Sequence, residues 1–381
     1  MDKSRHTVII PSYNTLPHLK NTYESIKRYG GDVDIIIIDD ASEDGTAEWL
    51  ISLSDERLNR VLATERKGHT YWYDEGMRIA ETEIVSILHS DMIIGPGYFE
   101  NLLKHLERGK VVCATRIEPP IHPAGKEKIV RNFGVEANEF TWDAFEKFVT
   151  QEKADANNST TKGIFAPWML YKEDHLSIGG HDQRFAPFGY EDSDIFNRWI
   201  LAGYEMIQSR DALCYHMTCR GHRWNAGVGK ENPDYKDIMS RCEREFIRKW
   251  GDWIQNDALQ YPIINPCYDK QIRIFNGSPD TLALLEPWAN SIYYDGSKKD
   301  IADYIEKEQP RSVMNLSSKI NRDGAFTDIT IRVDGSTFTQ QDYIYIRQLN
   351  AILSQNKPEV GKFKLGNLEI QVNRYEEKTY N

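Results

Sequence analysis

The sequence predicts an α/β fold in which a mixed, mostly parallel sheet carries flanking helices and is followed by a smaller C-terminal α/β domain. Three observations carry this. Two βα units fit within the first 50 residues, and successive strands joined through helices pair in parallel. The strand from Asp34 to Ile38 holds four consecutive isoleucines, apolar on both faces, as in a sheet covered on both sides. The run EIVSILHSDMIIGPG at 83–97 is an apolar strand that stops at His89, Ser90 and Asp91. Polar acceptors at a strand's carboxyl end stand where open α/β sheets hold ligands.

Taken in order, Thr7 to Ile10 is strand one, broken by the turn formers Pro11, Ser12, Tyr13 and Asn14. A helix over Leu16 to Tyr29 follows, with Leu19, Tyr23 and Ile26 on one face. Strand two ends in Asp39 and Asp40, and residues 41–46 open the next helix. A carboxylate at such an end can bond a base N–H or a ribose hydroxyl; the plainer reading is a helix cap. In Lys67 to Met77, the aromatics Tyr71, Trp72 and Tyr73 suit stacking or core packing equally, and Asp74 and Arg78 are spaced as a helix-surface pair. Asp91 offers a carboxylate that can hold a divalent cation, and through it a diphosphate. The turn at Gly95, Pro96 and Gly97 launches a helix over Tyr98 to Leu106.

Lys110 to Thr115 is a further strand, and residues 119–160 form a polar insertion suited to a lid or a surface excursion. It is helical over Trp142 to Thr150 and mobile over Ala154 to Lys162. Ile164 to Leu170 is strand-like, and Ala212 to His216 is a strand. Between them, Glu191, Asp192 and Asp194 open a helix. Three carboxylates in four residues exceed what the helix dipole needs, and their mutual repulsion raises at least one pKa, as a general base requires. Asp194 and Arg198 are spaced to brace that helix. The cysteines and histidines of 214–222 are too compressed for common structural zinc motifs. Gly227 to Lys230 fails as a phosphate loop, because the preceding glycine is misplaced and Glu231 replaces the hydroxyl residue.

A chain of 381 residues with 47 Lys and Arg against 58 Asp and Glu carries a formal charge of −11. That sign argues against broad nucleic-acid binding. Five cysteines give no disulfide framework and suit a reducing compartment. No apolar run approaches a transmembrane helix and no signal segment precedes the first strand, so a cytoplasmic protein is expected. Turn-rich residues near 262–270 set the domain boundary. Residues 1–262 form the larger domain, with halves 1–115 and 116–262, and 270–381 the smaller. In the latter, strands are expected at Ile272 to Phe275, Thr281 to Leu285 and Asp328 to Val333, a helix at Thr339 to Leu353, and a hairpin turn at Leu365 to Leu368. Oligomer contact, acceptor docking and scaffolding are all open roles for it.

PSYN at 11–14, IIDDASEDGT at 37–46, LHSDMIIGPGYFENL at 88–102, GGHDQRF at 179–185 and GYEDSDIFNRW at 189–199 together resemble the family 2 glycosyltransferases of GT-A fold. The resemblance implies inverting transfer of a sugar from a UDP-, GDP- or dTDP-sugar to a hydroxyl acceptor, a carbohydrate, with Mn2+ or Mg2+ as cofactor. It assigns nucleotide contacts to Pro11, Tyr13, Asn14, Asp39, Asp40, Lys67, Gly68, Asp74 and Ser90. It makes Asp91 and His216 metal ligands, Asp192 the base with Glu191 second, and Trp168, Gly180 and His181 acceptor contacts. Where many relatives have two or three carboxylates, this chain has His89-Ser90-Asp91, which leaves the role of His89 open. The rival reading is a catalytically inactive nucleotide-sugar or glycan-binding protein; a pure binder has no need of the Glu191-Asp192 pair.

Overall fold

The structure, a computed structural model, describes residues 5–224, 227–321 and 327–377. The chain divides into two compact units, Met1–Ile238 with Asn256–Pro262, and Met239–Gln255 with Ile263–Asn381.

In unit 1, β1 (Thr7–Ser12), α1 (Leu16–Tyr29), β2 (Asp34–Asp39), α2 (Thr46–Ser52), β3 (Leu58–Leu62), α3 (His69–Ile79) and β4 (Ile84–Ile87) alternate as the isoleucine runs demand. The four strands pair in parallel in the order β3-β2-β1-β4. The register sets Ser12 beside Asp39, so their polar ends share one edge. Strand order reverses between β1 and β4, and the polar residues after β4 open at that reversal, where doubly wound sheets bind ligands.

The chain continues through β5 (Met92–Ile94), α4 (Tyr98–Leu103), β6 (Lys110–Glu118), β7 (Lys128–Val130), α5 (Trp142–Ala156), β8 (Thr160–Thr161), β9 (Trp168–Tyr171), α6 (Lys172–Leu176), α7 (Glu191–Leu201), β10 (Glu205–His216) and α8 (Tyr235–Trp250). β9 runs antiparallel between β4 and β6, while β6 and β10 are parallel. β5 pairs antiparallel with β10 in a register that sets Met92 opposite His216. That pairing makes Asp91 and His216 neighbours although 125 residues separate them. Alternate β1 and β2 side chains feed two cores: Val8, Ile10, Ile35 and Ile37 pack with Leu19 and Ile26 of α1, and Ile9, Ile36 and Ile38 pack with Tyr73 and Met77 of α3. The segment expected to be mobile at 154–162 is ordered: α5 runs to Ala156, and Thr160–Thr161 pairs with Ser209 and Gln208 of β10.

Unit 2 holds β11 (Lys270–Phe275), α9 (Pro279–Leu285), β12 (Ser291–Tyr294), α10 (Lys298–Glu308), β13 (Ile329–Asp334), α11 (Gln340–Asn356), β14 (Gly361–Leu365) and β15 (Leu368–Val372) in a sheet of order β12-β11-β13-β15-β14. Thr281–Leu285, expected as a strand, is helical: Ser278 accepts from the Thr281 N–H and Pro279 fills the first turn, and this cap outweighs the short apolar run. Most of α8 belongs with this unit rather than the first. Arg248 is buried, its Nη2 2.6 Å from both Glu286 and Glu308, and Arg244 pairs with Glu308 at 2.6 Å. Such buried charges need their partners within the same compact body. Among the described residues no helix is long and apolar enough to cross a membrane, and all five cysteines are free.

Candidate active site

The polar ends of β1 and β2 are tied to the loops that follow them. Pro11 is buried within β1. Asn14, at φ 52°, accepts from Glu43 N at 2.8 Å, while its own N–H donates to Ser42 Oγ at 3.0 Å. Ser12 and Thr15 hydroxyls meet at 2.9 Å and Thr15 and Ser90 at 2.8 Å, so the Ser90 hydroxyl is engaged within the protein. Asp39 accepts from Ser42 N at 3.1 Å, and burial raises its pKa. Asp40 accepts from Lys67 N (2.7 Å), Gly68 N (2.8 Å) and Trp72 Nε1 (2.6 Å), which pins the 67–72 loop to the β2 end. Gly68 has φ +88°, and a Cβ there would lie 2.2 Å from the Pro187 backbone, so only glycine fits. Arg66 lies over the Tyr13 ring at 3.9 Å, setting a cation beside the β1 end.

Asp91 is the centre of the second group. His89, Asp91 and His216 present ligand atoms all within 4.8 Å of one another, and Asp91 Oδ1 is 3.5 Å from His216 Nε2. His216 Nδ1 faces Glu118 Oε1 at 3.1 Å, and Glu118 is itself held by Arg116 and Lys128 at 2.7 Å each. A carboxylate behind a histidine fixes the ring and leaves its other nitrogen to a metal. Burial pulls the His216 pKa down, but Asp91 and Glu118 outweigh it and lift it to about 9. Burial and the neighbouring His216 lower His89 to about 3, which keeps it neutral with a lone pair to give. Burial resists the charge on Asp91, yet His216 holds its carboxyl well below the usual range. Two imidazoles and a carboxylate are a donor set that suits a divalent cation.

The carboxylates of α7 meet this group through one ring. Glu191 is buried, its Oε1 2.7 Å from His69 Nε2, and the His69 ring stacks 6.3 Å from that of His89. Burial raises Glu191, and His69 more than reverses it, so Glu191 stays ionised. Burial also opposes charge on His69, but Glu191 overcomes it and the ring's pKa is raised. Asp192, half-buried one residue on, is shifted the other way: burial and the Glu191 charge both raise it well above an ordinary aspartate. Asp194 pairs with Arg198 at 2.9 Å, as its spacing implies.

Four sequence expectations land elsewhere. Asp74 does not pair with Arg78, which contacts Glu75, nor is it at the strand ends. It is buried, accepting from His175 Nε2 (2.9 Å), His181 Nδ1 (2.7 Å) and His181 N (2.8 Å). His181, expected at the acceptor, is therefore a buried partner of Asp74. Gly180, at φ +67°, is backed against the same carboxylate, where a Cβ would sit 2.2 Å from Asp74 Oδ2. Trp168 is 0% exposed, edge-on to Trp199 at 5.0 Å, and presents no face to a sugar.

Sequence reasoning missed His69 and Glu118. His69 sits in a stretch that reads as aromatic, with its partner 122 residues away. Glu118 ends β6, and reading that strand three residues short left it outside the strand-end rule that found Asp39 and Asp91.

Residues 7–173 match the Glycosyl transferase family 2 model, which bears out the resemblance read from the motifs, and residues 150–220 match the N-terminal domain of galactosyltransferase. Unit 1, which contains both matched stretches, is thus similar in sequence to glycosyltransferases and has the mixed, mostly parallel sheet that the resemblance implies. Among curated proteins, the chain is similar to the uncharacterized glycosyltransferase YfnE of Bacillus subtilis (strain 168), 24% identical over 55% of this chain and 64% of that one. It is also similar to the validoxylamine A glucosyltransferase of Streptomyces hygroscopicus subsp. jinggangensis (strain 5008), 23% identical over 64% of this chain and 60% of that one. The chain thus spans less than two thirds of these relatives' length. Of solved structures, GalNAc-T7 with UDP, GalNAc and Mn2+ superposes at TM-score 0.48 with 14% identity, over 65% of this chain and 48% of that one. The mannosyltransferase PcManGT of Pyrobaculum calidifontis with GDP-Man and Mn2+ superposes at 0.40 with 21% identity, over 57% of each.

Proposed function

We propose that unit 1 is an inverting glycosyltransferase that moves a sugar from a nucleoside-diphosphate sugar to a hydroxyl of a carbohydrate acceptor. One observation carries the reading. A metal-capable set of His89, Asp91 and His216 and the carboxylates of α7 stand on either side of the His69 ring.

Asp91, His216 and His89 would hold Mn2+ or Mg2+. When bound, the cation neutralises the charge that builds on the departing diphosphate. Asp192 takes the proton from the acceptor hydroxyl as its oxygen bonds to the anomeric carbon. The bond to the diphosphate oxygen breaks on the opposite face, which inverts the centre. A carboxylate with a raised pKa suits this, since proton affinity near the working pH makes an effective base. Glu191 is then a positioning residue: it fixes His69 and, through its charge, raises the proton affinity of Asp192. Asp39, Asn14 and the Tyr13-Arg66 pair line the nucleotide side, and Asp40 acts through the 67–72 loop it pins.

The test is release of free nucleoside diphosphate from UDP-, GDP- and dTDP-sugars with manganese, with magnesium and with chelator. One donor should be turned over in a metal-dependent way. Calorimetry showing that no donor binds would sink the reading, and binding without release by the wild-type chain would make unit 1 a nucleotide-sugar-binding protein instead.

A further inference from the structure

The sheet of unit 2 has one face covered and one open. Ile272, Ile274, Ile292, Ile331, Val333 and Ile370 are buried on the covered face, and the residues alternating with them are half-buried or exposed. Strand pairing places Tyr293, Arg273, Arg332, Glu369 and Lys364 side by side in one row across all five strands. The row holds three cations and one carboxylate in a chain whose net charge is −11.

The two arginines are direct cross-strand partners, and like charges so placed destabilise a sheet. Nothing within the row offsets this. Arg332 reaches Glu369 only at 3.9 Å with both side chains more than half exposed, so the pair is weak. Arg273 has no ion-pair partner among the described residues. What the arginines do contact is aromatic. Arg273 lies over Tyr293 at 4.6 Å, Arg332 lies over Phe275 at 4.0 Å, and the two rings are 5.4 Å apart. The strip thus alternates flat aromatic faces with planar cations: Arg332 feels the charges of Glu369 and Asp334 without a close ion pair, and Arg273 has no ion pair among the described residues. A sugar ring offers a C–H face to an aromatic side chain, and a carboxylate or phosphate oxygen pair fits a guanidinium fork.

We propose that this row binds an anionic glycan, a run of sugar or polyol units bearing carboxylate or phosphodiester groups, of the kind the proposed transfer would take as acceptor. Its choice of a glycan over another polyanion rests on the transferase reading of unit 1. A single-stranded nucleic acid would use similar chemistry, but the chain's overall negative charge opposes a long, densely charged polyanion.

Calorimetry on the full chain would use oligogalacturonate, a polyol-phosphate oligomer, neutral dextran oligomers and oligo-dT. Oligogalacturonate or the polyol phosphate should bind, and which one does identifies the anion. Binding should weaken with added salt, and dextran should bind far less tightly. Arg273→Gln and Phe275→Leu should each cost about tenfold in affinity, while Glu369→Gln should tighten binding, an outcome that misfolding cannot mimic. Nucleotide release from the donor should be unchanged in all three variants. Failure of both anionic glycans to bind, tighter binding of oligo-dT, or unaltered affinity in Arg273→Gln would overturn the proposal. If donor release persists while neither glycan binds, only this inference falls. If a glycan binds but no donor does, the transferase reading falls and the row stands as a glycan site in its own right.

Discussion

Asp74 with His175 and His181, and Asp91 with His89 and His216, are the same three side chains assembled twice within one unit, and both sets bring their ligand atoms within 4.8 Å. The difference lies in where the hydrogen bonds go. Asp74 is saturated: three chain donors reach it at 2.7–2.9 Å, Gly180 is packed against it, and the surrounding rings are core. Among the described residues, Asp91 has only the Arg220 N–H at 3.3 Å and His216 at 3.5 Å. Its histidine is braced from behind by Glu118. An aspartate and two histidines are therefore not a site by composition; an unsatisfied carboxylate beside a braced histidine is what sets the proposed site apart from the buried cluster.

The largest effect should come from Asp192, the proposed base beside the open cluster. Asp192→Asn should lower transfer by roughly 10³-fold with donor affinity retained, measured as turnover against calorimetric binding; near wild-type turnover would remove Asp192 from the mechanism. Next, Asp74→Ala should destabilise unit 1 by about 3–5 kcal/mol, because two buried histidines lose their acceptor. Manganese should not restore the melting temperature. Asp91→Asn should do the reverse, leaving metal-free stability nearly intact while abolishing any manganese-induced rise in melting. Equal behaviour of the two variants would erase the distinction between the clusters.

Glu118→Gln comes third, with metal affinity about 10–100-fold weaker and donor binding in the absence of metal unaffected. The smallest change is His69→Gln, which keeps a donor for Glu191 but removes a positive charge. That charge lowers the Asp192 pKa, so its loss raises it. The base then needs a higher pH to ionise, and the acid limb of kcat/KM should move upward. A downward or absent shift would separate His69 from the base.

Much of this was legible where chemistry and local sequence coincide. Alternating βα units, the isoleucine strand and the acceptors that end β1, β2 and β4 are short-range signals, and Asp39 and Asp91 follow from them. The misread residues are those whose meaning is set by a distant partner. Asp74 reads as a surface helix residue until histidines 101 and 107 residues away close on it. Trp168 reads as a platform because an aromatic is equally good core, and only the packing of Trp199 decides between them. In unit 2, Thr281–Leu285 shows a β-like composition that a Ser-Pro cap overrules.

The contact between Gly68 and the Pro187 backbone bears on how such a protein can change over time. Any side chain at 68 would drive the two loops apart, and Thr70 hydrogen-bonds the same proline carbonyl at 3.4 Å. One loop is pinned to Asp40 at the end of β2 and the other leads into the α7 carboxylates, so neither can be remodelled alone. Loops grafted singly from a relative with another donor preference should fail. The unit of inheritance, and of engineering, is the pair.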